Sequence, residues 1–135
     1  MAFLDTNILL YSISTAPAEA AKRERAVALL ETDAATLSVQ VLQEFYVQAT
    51  RQSRTDALPH EIAAGLVRVW LRFRVIETTT TVMLDALDIK DRFRISYWDA
   101  AVIAAARTAG CDRLYTEDLS HEQRIAGLRI VNPFL

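Results

Sequence analysis

The alternation of short β-prone runs with longer segments of helical periodicity is the feature that most constrains how this chain folds. The β-prone runs lie at residues 2–5, 36–38, 75–78, 112–115 and 128–131. The segments with helical spacing lie at residues 18–31, 39–52, 59–73, 81–92 and 97–109. Because strands that alternate with helices form a parallel sheet covered on both faces, the sequence predicts an α/β fold.

No repeat, low-complexity tract or linker rich in Pro, Gly or Ser interrupts the 135 residues, which contain only 3 Gly and 3 Pro. One domain over residues 1–135 is therefore expected. No apolar stretch approaches the ~20 residues of a membrane helix, and no basic segment precedes Asp5 as in a secretory signal. The single cysteine, Cys111, excludes an internal disulfide. We therefore expect a cytoplasmic protein that does not contact a membrane.

The formal net charge of -2 gives no overall positive field of the kind that marks many nucleic-acid-binding proteins. Of the 15 basic residues only Lys22 and Lys90 are lysines, and arginine is the better bidentate ligand for phosphate. A compositional bias towards Ala and Arg explains the arginine excess equally well. Composition therefore permits a phosphate-binding role without indicating one.

Two carboxylates follow predicted strands. Asp5 ends the first β-prone run in "AFLDTNILLY", and Asp118 follows "DRLY" within the segment Thr116-Glu117-Asp118. Open parallel sheets place their active crevice at the carboxyl ends of the strands. Both carboxylates would therefore lie on the same edge of the sheet if their strands are neighbours.

Two further acids lie in predicted helices. Asp99 occupies the third position of a helix that Ser96 would cap, so it is either a capping-box partner or a carboxylate that projects towards the crevice. Glu44 belongs to a polar i, i+4 stripe with Gln40 and Gln48 that borders the apolar face of its helix. This stripe is either a solvated surface or the wall of a cleft.

Asp5, Glu44, Asp99 and Asp118 together would form an all-oxygen acidic site. Clustered carboxylates repel one another, and the pKa of each rises unless a cation neutralises them. Such a donor set suits Mg²⁺ or Mn²⁺, which would activate a water and stabilise charge during displacement at phosphorus. A zinc site is not expected, because there is one Cys and because His60 and His121 have no paired spacing.

Two alternatives remain open at this stage. An Asp that ends an apolar strand is also the phosphoryl acceptor of haloacid-dehalogenase-like phosphatases and response-regulator receivers. The former require an Asp where this chain has Asn7, and both require a lysine near the site, whereas neither Lys22 nor Lys90 follows a suitable strand. The second alternative is a non-catalytic α/β interaction module in which the acids are only helix caps and solvated charges.

Four motifs in order along the chain resemble the PIN domain, in particular the small single-domain toxins of the VapC kind. They are "FLDTNILLY", "QEF" around Glu44, "YWDAAVIAAA" around Asp99 and "LYTEDL" around Asp118, and the tail "RIVNPF" fits a PIN subgroup. The resemblance implies a three-layer α/β/α fold with a central, mainly parallel sheet of four to five strands. It also implies a Mg²⁺- or Mn²⁺-dependent endoribonuclease, acting on transfer or other structured RNA, that is the toxin of a toxin-antitoxin system.

The resemblance assigns roles position by position. Asp5, Asp99 and Asp118 correspond to the acidic metal centre, and Glu44 corresponds to a further acid that holds the metal or its water. Supporting positions are Asn7 and Thr116, which match the polar residues beside the first and last acids, and Thr6, which matches as support for the backbone. Glu117 adds a fifth acid, and Asp118 is preferred over it by its spacing after Thr116.

The resemblance also implies a homodimer and a cognate antitoxin whose C-terminal segment wraps the toxin and blocks the site. In "HEIAAGLVRVWLRF" only Glu61, Arg68 and Arg72 form a polar line, and the apolar arc around the rest is wider than one core-facing stripe. This helix is either sandwiched within its own monomer or forms a groove for an amphipathic antitoxin helix. Candidates for contact with RNA phosphates are Arg51, Arg54 and Arg94.

Overall fold

The structure is a computed structural model that describes residues 1–32 and 34–135. The strands in this part of the chain are β1 (Ala2–Leu4), β2 (Ala35–Ser38), β3 (Arg74–Ile76), β4 (Arg113–Tyr115), β5 (Arg124–Ile125) and β6 (Leu128–Val131). The α-helices are α1 (Thr6–Ser12), α2 (Ala20–Leu30), α3 (Val39–Ala49), α4 (His60–Trp70), α5 (Thr80–Phe93) and α6 (Tyr97–Thr108). A short 3₁₀ turn, Pro17–Glu19, precedes α2.

The strands form one sheet in the order β3-β2-β1-β4-β6-β5. All neighbouring pairs are parallel except β5 with β6. In the register of the central strands, Phe3 of β1 lies between Thr36 of β2 and Leu114 of β4. The carboxyl ends of β1 and β4 are therefore side by side, which places Asp5 and the Thr116–Asp118 segment on one edge of the sheet.

Helices flank the sheet on both sides, which confirms the three-layer α/β/α prediction. Helix α6 packs against β2, β4 and β6 and also against α5, whereas α1 packs against α2 and α3. Every residue of α6 from Ala100 to Ala106 is buried. Small alanine side chains let a helix that is enclosed on all sides approach its neighbours closely. The acid-bearing start of α6 is therefore anchored in the core.

The sheet of the described chain has six strands, whereas four to five were expected. The additional strand, β5, has only two residues and forms a hairpin with β6 through Ala126 and Gly127, both with positive φ. A strand of two residues shows no alternation that a sequence pattern could reveal. The sheet is nevertheless mainly parallel, as predicted.

Helix α1 was not expected from the helical periodicity of the sequence. It begins directly after β1, and Asp5 is its N-cap residue. Seven residues make about two turns, which is too short for a periodic pattern to emerge.

No helix in the described part of the chain is long and apolar enough to cross a membrane.

Candidate metal centre

Asp5 is held rigidly at the junction of β1 and α1. Its backbone N–H donates to Tyr115 O at 3.1 Å, which extends the pairing of β1 with β4. The residue is only 5% exposed. Oδ1 accepts a hydrogen bond from Thr6 N at 2.7 Å, and Oδ2 accepts one from Thr116 Oγ1 at 2.8 Å. The orientation of this carboxylate is therefore fixed from two sides.

Burial raises the pKa of Asp5 to about 7, which places its titration close to neutral pH. The hydrogen bonds from Thr116 and Thr6 oppose this rise, while the negative charges of Asp118 and Glu44 add to it. Burial also raises the pKa of Asp99 above its usual range, again with contributions from Asp118 and Glu44. A cation among these carboxylates would favour their charged forms.

Three carboxylates from separate elements converge at this edge of the sheet. Asp5, Asp99 and Asp118 each offer one oxygen, and these oxygens all lie within 4.8 Å of one another. Two oxygens on opposite sides of one Mg²⁺ ion lie about 4.2 Å apart, because each Mg–O bond is about 2.1 Å. The number, type and spacing of the donors therefore fit a hard divalent cation.

The positions of the other two members of this group follow from local structure. Asp99 lies in the first turn of α6, and its N–H donates to Ser96 Oγ at 3.1 Å, as expected for an N-cap. Asp118 lies after β4 and its N–H donates to Thr116 Oγ1 at 3.1 Å. Asp5 is buried, Asp99 is half-buried and Asp118 is exposed. The three acids therefore extend from the core to the protein surface.

Thr116 and Asn7 connect the first and last acids. The buried Thr116 hydroxyl donates to Asp5 and accepts from Asn7 Nδ2 at 3.1 Å. Asn7 Nδ2 also donates to Asp118 Oδ2 at 3.1 Å. An amide oxygen at this position would face a carboxylate, so the contact with Asp118 determines the orientation of the amide. Among the described residues, Asn7 Oδ1 is buried and has no hydrogen-bond partner.

Glu44 lies beside the group of three and not within it. Its Oε2 accepts from Thr6 Oγ1 at 2.7 Å, and its Oε1 accepts from Gln40 Nε2 at 2.9 Å. Glu44 and Gln48 both line the cavity that contains Asp5. The polar stripe of α3 therefore forms one wall of the cleft and is not merely a solvated surface.

The cavity has a volume of about 350 Å³ and is strongly acidic. Its acidic lining residues are Asp5, Glu19, Glu44, Asp99, Glu117 and Asp118. Among the described residues, Arg54 is the one basic side chain in this lining, and its Nε lies 2.8 Å from Asp56 Oδ1. Arg51 lines an adjoining groove, and Arg94 lines neither.

Sequence reasoning missed the contacts of Glu117. Tyr11 OH donates to Glu117 Oε1 at 2.6 Å, and Lys22 Nζ lies 3.0 Å from Glu117 Oε2 and 3.1 Å from Tyr11 OH. Glu117 is thereby paired with Lys22, and Asp118 is the acid that joins the group of three. A helix at residues 6–12, had the sequence predicted it, would have placed Tyr11 at the site, because Asn7 and Tyr11 are four residues apart on one helical face. Nothing in the sequence indicates that Lys22 lies here.

Comparison with families of known proteins agrees with the motifs. The model of the PIN domain family matches residues 2–126. The chain belongs to the PIN domain family. The match includes all four predicted acids of the site and confirms the resemblance at the level of the family. A search of curated proteins finds no match to the chain.

Solved structures share this PIN fold over nearly their whole length. A toxin-antitoxin complex from Klebsiella pneumoniae is 20% identical, with a TM-score of 0.72 and 98% of each chain covered. Mycobacterium tuberculosis VapC20, described as a sarcin-ricin loop cleaving toxin, is 20% identical, with a TM-score of 0.72, 96% of this chain covered and 99% of that one. DNA-bound VapBC from Salmonella typhimurium is 23% identical, with a TM-score of 0.67 and coverage of 96% and 95%. The PIN domain described here therefore has the fold of VapC toxins.

Proposed function

We propose that this PIN domain protein is a divalent-metal-dependent endoribonuclease that acts as the toxin of a toxin-antitoxin pair. The observation that carries the proposal is the convergence of Asp5, Asp99 and Asp118 within 4.8 Å at the carboxyl edge of the sheet. Helix capping and surface solvation, the alternative roles of these acids, do not require three separate elements to meet at one point. Membership of the PIN family adds independent support.

Asp5, Asp99 and Asp118 would hold Mg²⁺, or Mn²⁺ in its place, and Glu44 would complete the acidic shell. When bound, the ion would supply an activated water and neutralise the charge that develops at phosphorus during hydrolysis of the phosphodiester bond. Hard oxygen ligands and a raised pKa at Asp5 both suit a cation that replaces a proton at the site.

The remaining polar residues orient the acids. Thr6 N–H and the Thr116 hydroxyl fix the two oxygens of Asp5, and Asn7 holds Asp118. Glu44 is aligned by Thr6 and Gln40, so that its carboxylate can hold the attacking water and accept its proton. Fixed carboxylates on rigid elements keep this geometry without reorganisation during the reaction.

RNA is the proposed substrate, as the motif resemblance implies. VapC20, which shares the fold, is described as a toxin that cleaves the sarcin-ricin loop. The positive charge needed to hold phosphates must be local, because the chain has a net charge of -2. Arg54 supplies it at the cavity, where Asp56 orients its guanidinium and Thr15 in turn holds Asp56. Arg94 is a weaker candidate, because it lies outside the cavity lining.

The proposed antitoxin site is an apolar groove between α3 and α4 with a volume of about 660 Å³. Of α4 only Ala63 and Trp70 are buried, so this helix is not sandwiched within its own monomer. Val47 and Leu71 in the groove are 56% and 57% exposed. An amphipathic antitoxin helix would bury such a surface. Homodimer formation would bury a second exposed apolar set on α5, formed by Met83, Leu84 and Leu87.

The phosphoryl-acceptor alternative gains no support from the site. A receiver or phosphatase needs a lysine beside the acceptor carboxylate, but Lys22 Nζ contacts Glu117 and Tyr11. The position that a phosphatase fills with a second Asp is Asn7, which donates its amide to Asp118. A beryllofluoride adduct on Asp5, seen by mass spectrometry, would nevertheless revive this alternative.

Cleavage of purified transfer RNA and of a sarcin-ricin loop oligonucleotide tests the proposed function directly. We expect cleavage with Mg²⁺ or Mn²⁺, none with EDTA, and at least a hundredfold loss in Asp5→Asn, since removing one electrostatic group costs about 10² to 10³ in rate. Asp88→Asn, an exposed acid on α5, is the matched control. Cleavage that survives Asp5→Asn, or that proceeds without metal, would contradict the assignment.

A further inference from the structure

Trp98 is an exposed aromatic side chain beside the metal centre that the proposed chemistry leaves without a role. It directly precedes Asp99, and 63% of its surface is exposed. The other exposed large hydrophobic residues in the described part of the chain are all aliphatic. Trp98 also lines the acidic cavity, so its exposed indole is placed to contact a ligand that enters the cavity.

Gln40, which orders Glu44, also contacts the backbone of Trp98. Gln40 Nε2 donates to Trp98 O at 3.3 Å, and it also donates to Glu44. The indole packs edge-to-face against Tyr97, with ring centroids 5.1 Å apart and an interplanar angle of 79°. The backbone of Trp98 is thus joined to α3, and its ring packs on Tyr97 at the start of α6, which carries Asp99.

A groove of about 470 Å³ lies beside the acidic cavity and is lined in part by Trp98; we refer to it as the Trp98 groove. Its lining residues are Gln40, Gln43, Glu44, Val47, Gln48, Arg51 and Trp98. Glu44, Gln48 and Trp98 also line the acidic cavity, so the two spaces adjoin one another. Arg51 is exposed and makes no ion pair with any described residue.

We infer that the Trp98 groove binds a nucleotide of the RNA next to the scissile phosphate, with its base stacked on Trp98 and its phosphate paired with Arg51. This inference rests on the proposed function. Single-stranded RNA is recognised through unstacked bases that lie on aromatic rings, and arginine binds phosphate in bidentate geometry. The amides of Gln43 and Gln48 can donate to and accept from the edges of a base, which would confer a base preference.

The chemistry of the groove favours RNA over the antitoxin. The α3–α4 groove is lined mainly by aliphatic and aromatic side chains, whereas the Trp98 groove contains three amides, one acid and one arginine. An apolar helix face would leave these polar groups desolvated, which costs free energy. A nucleotide offers them a phosphate and hydrogen-bonding base edges.

Steady-state cleavage kinetics with a short single-stranded RNA test the inference. We expect Trp98→Ala to raise KM on the order of tenfold or more and to change kcat less, whereas Trp98→Phe retains most of the affinity. Arg51→Ala should also raise KM and should reduce the dependence of KM on salt. Val69→Ala, which removes an apolar side chain that is 53% exposed on α4 and lines neither groove, is the matched control.

Tryptophan fluorescence gives a second readout that does not need catalysis. Oligoadenylate and oligouridylate are titrated into Asp5→Asn protein, so that the RNA is not consumed. Trp70 is buried against Phe45, so quenching by RNA should come from Trp98 and should vanish in Asp5→Asn with Trp98→Phe. Binding with quenching supports the groove even if no variant cleaves RNA, in which case only the proposed catalysis fails.

Other results overturn the inference and leave the nuclease assignment intact. The clearest is cleavage by wild-type protein with an unchanged KM in Trp98→Ala and no quenching. Another is that Trp98→Ala weakens binding of an antitoxin peptide while RNA affinity stays the same, because Trp98 would then be a protein contact. The absence of both cleavage and quenching would refute the groove and the proposed function together.

Discussion

Thr6 Oγ1 donates a 2.7 Å hydrogen bond to Glu44 Oε2 and so joins the first turn of α1 to α3. The backbone N–H of the same residue donates to Asp5. Thr6 therefore contacts two acids of the site through two different groups. The hydroxyl can be removed without disturbing the backbone contact, which separates the orientation of Glu44 from that of Asp5.

Thr6→Val, which keeps the side-chain shape and removes this donor, should lower kcat on the order of tenfold while Mn²⁺ affinity changes little. The reason is that Glu44 loses one of its two hydrogen bonds and with it the fixed orientation that the proposed mechanism requires. Cleavage kinetics and Mn²⁺ titration calorimetry measure the two effects. Thr6→Ser restores the hydroxyl and should restore kcat; failure to do so would show that Thr6 acts through packing.

Thr116→Val should weaken Mn²⁺ binding on the order of tenfold at neutral pH. The Thr116 hydroxyl lowers the pKa of Asp5, so its removal raises that pKa further and the cation must displace a proton more often. The loss of Mn²⁺ affinity should become smaller as the pH rises above 7, because Asp5 then ionises even without the hydrogen bond from Thr116. Calorimetry across pH 6 to about 9 measures this. A loss that is independent of pH would indicate a purely structural effect, and Thr116→Ser is the control.

Without a metal, the fold should lose stability as the pH rises from about 4 to 7. Asp5 has a pKa of about 7 in the folded chain and 3.8 as its ordinary value, so the folded state binds more protons within that window. The charged, buried carboxylate then costs on the order of a few kcal/mol above pH 7. The free energy of unfolding of Asp5→Asn, relative to wild type, should therefore increase over the same range.

Urea unfolding of both proteins in EDTA measures this difference, and added Mn²⁺ should stabilise only the wild type at neutral pH. A stability difference that stays constant between pH 4 and about 7 would contradict the raised pKa of Asp5.

Lys22→Met should reduce cleavage several-fold with a change in unfolding free energy of at most about 1 kcal/mol. The Lys22–Glu117 pair is partly exposed, so its net contribution to stability is small. In the proposed site Lys22 would hold Glu117 away from Asp118, and without Lys22 a further negative charge could approach the acidic group. Lys90→Met on α5 is the matched control. Equal activities of the two variants would show that Glu117 needs no partner.

The placement of the acids was largely predictable from sequence. Asp5 and Asp118 could be placed on one edge because strand ends in a parallel sheet share a side, and Asp99 could be placed because Ser96 marks the start of α6. The position of Glu44 could not be predicted from sequence in the same way, because a polar stripe beside a core face is equally typical of a solvated surface. Its role as a cleft wall depends on α1 lying against α3, a tertiary contact that no local pattern encodes.

The unpredicted features share a physical reason. Helix α1 and strand β5 are too short to carry a periodic signal. Helix α1 is stabilised by packing against α2 and α3, and β5 by its hairpin with β6. The pairing of Lys22 with Glu117 joins residues 95 positions apart in sequence. Such contacts depend on how helices pack on the sheet, and a single sequence contains no spacing rule for them.

The burial of α6 has a consequence for how proteins of this kind diverge. Ala100 to Ala106 are enclosed, so a larger side chain there would displace the helix and with it Asp99. Arg51, Arg54 and Trp98 lie where substitutions leave the core undisturbed. If the proposed function holds, we expect natural variants to retain the acidic group while Arg51, Arg54 and Trp98 vary, since substitutions at these three positions do not disturb the core.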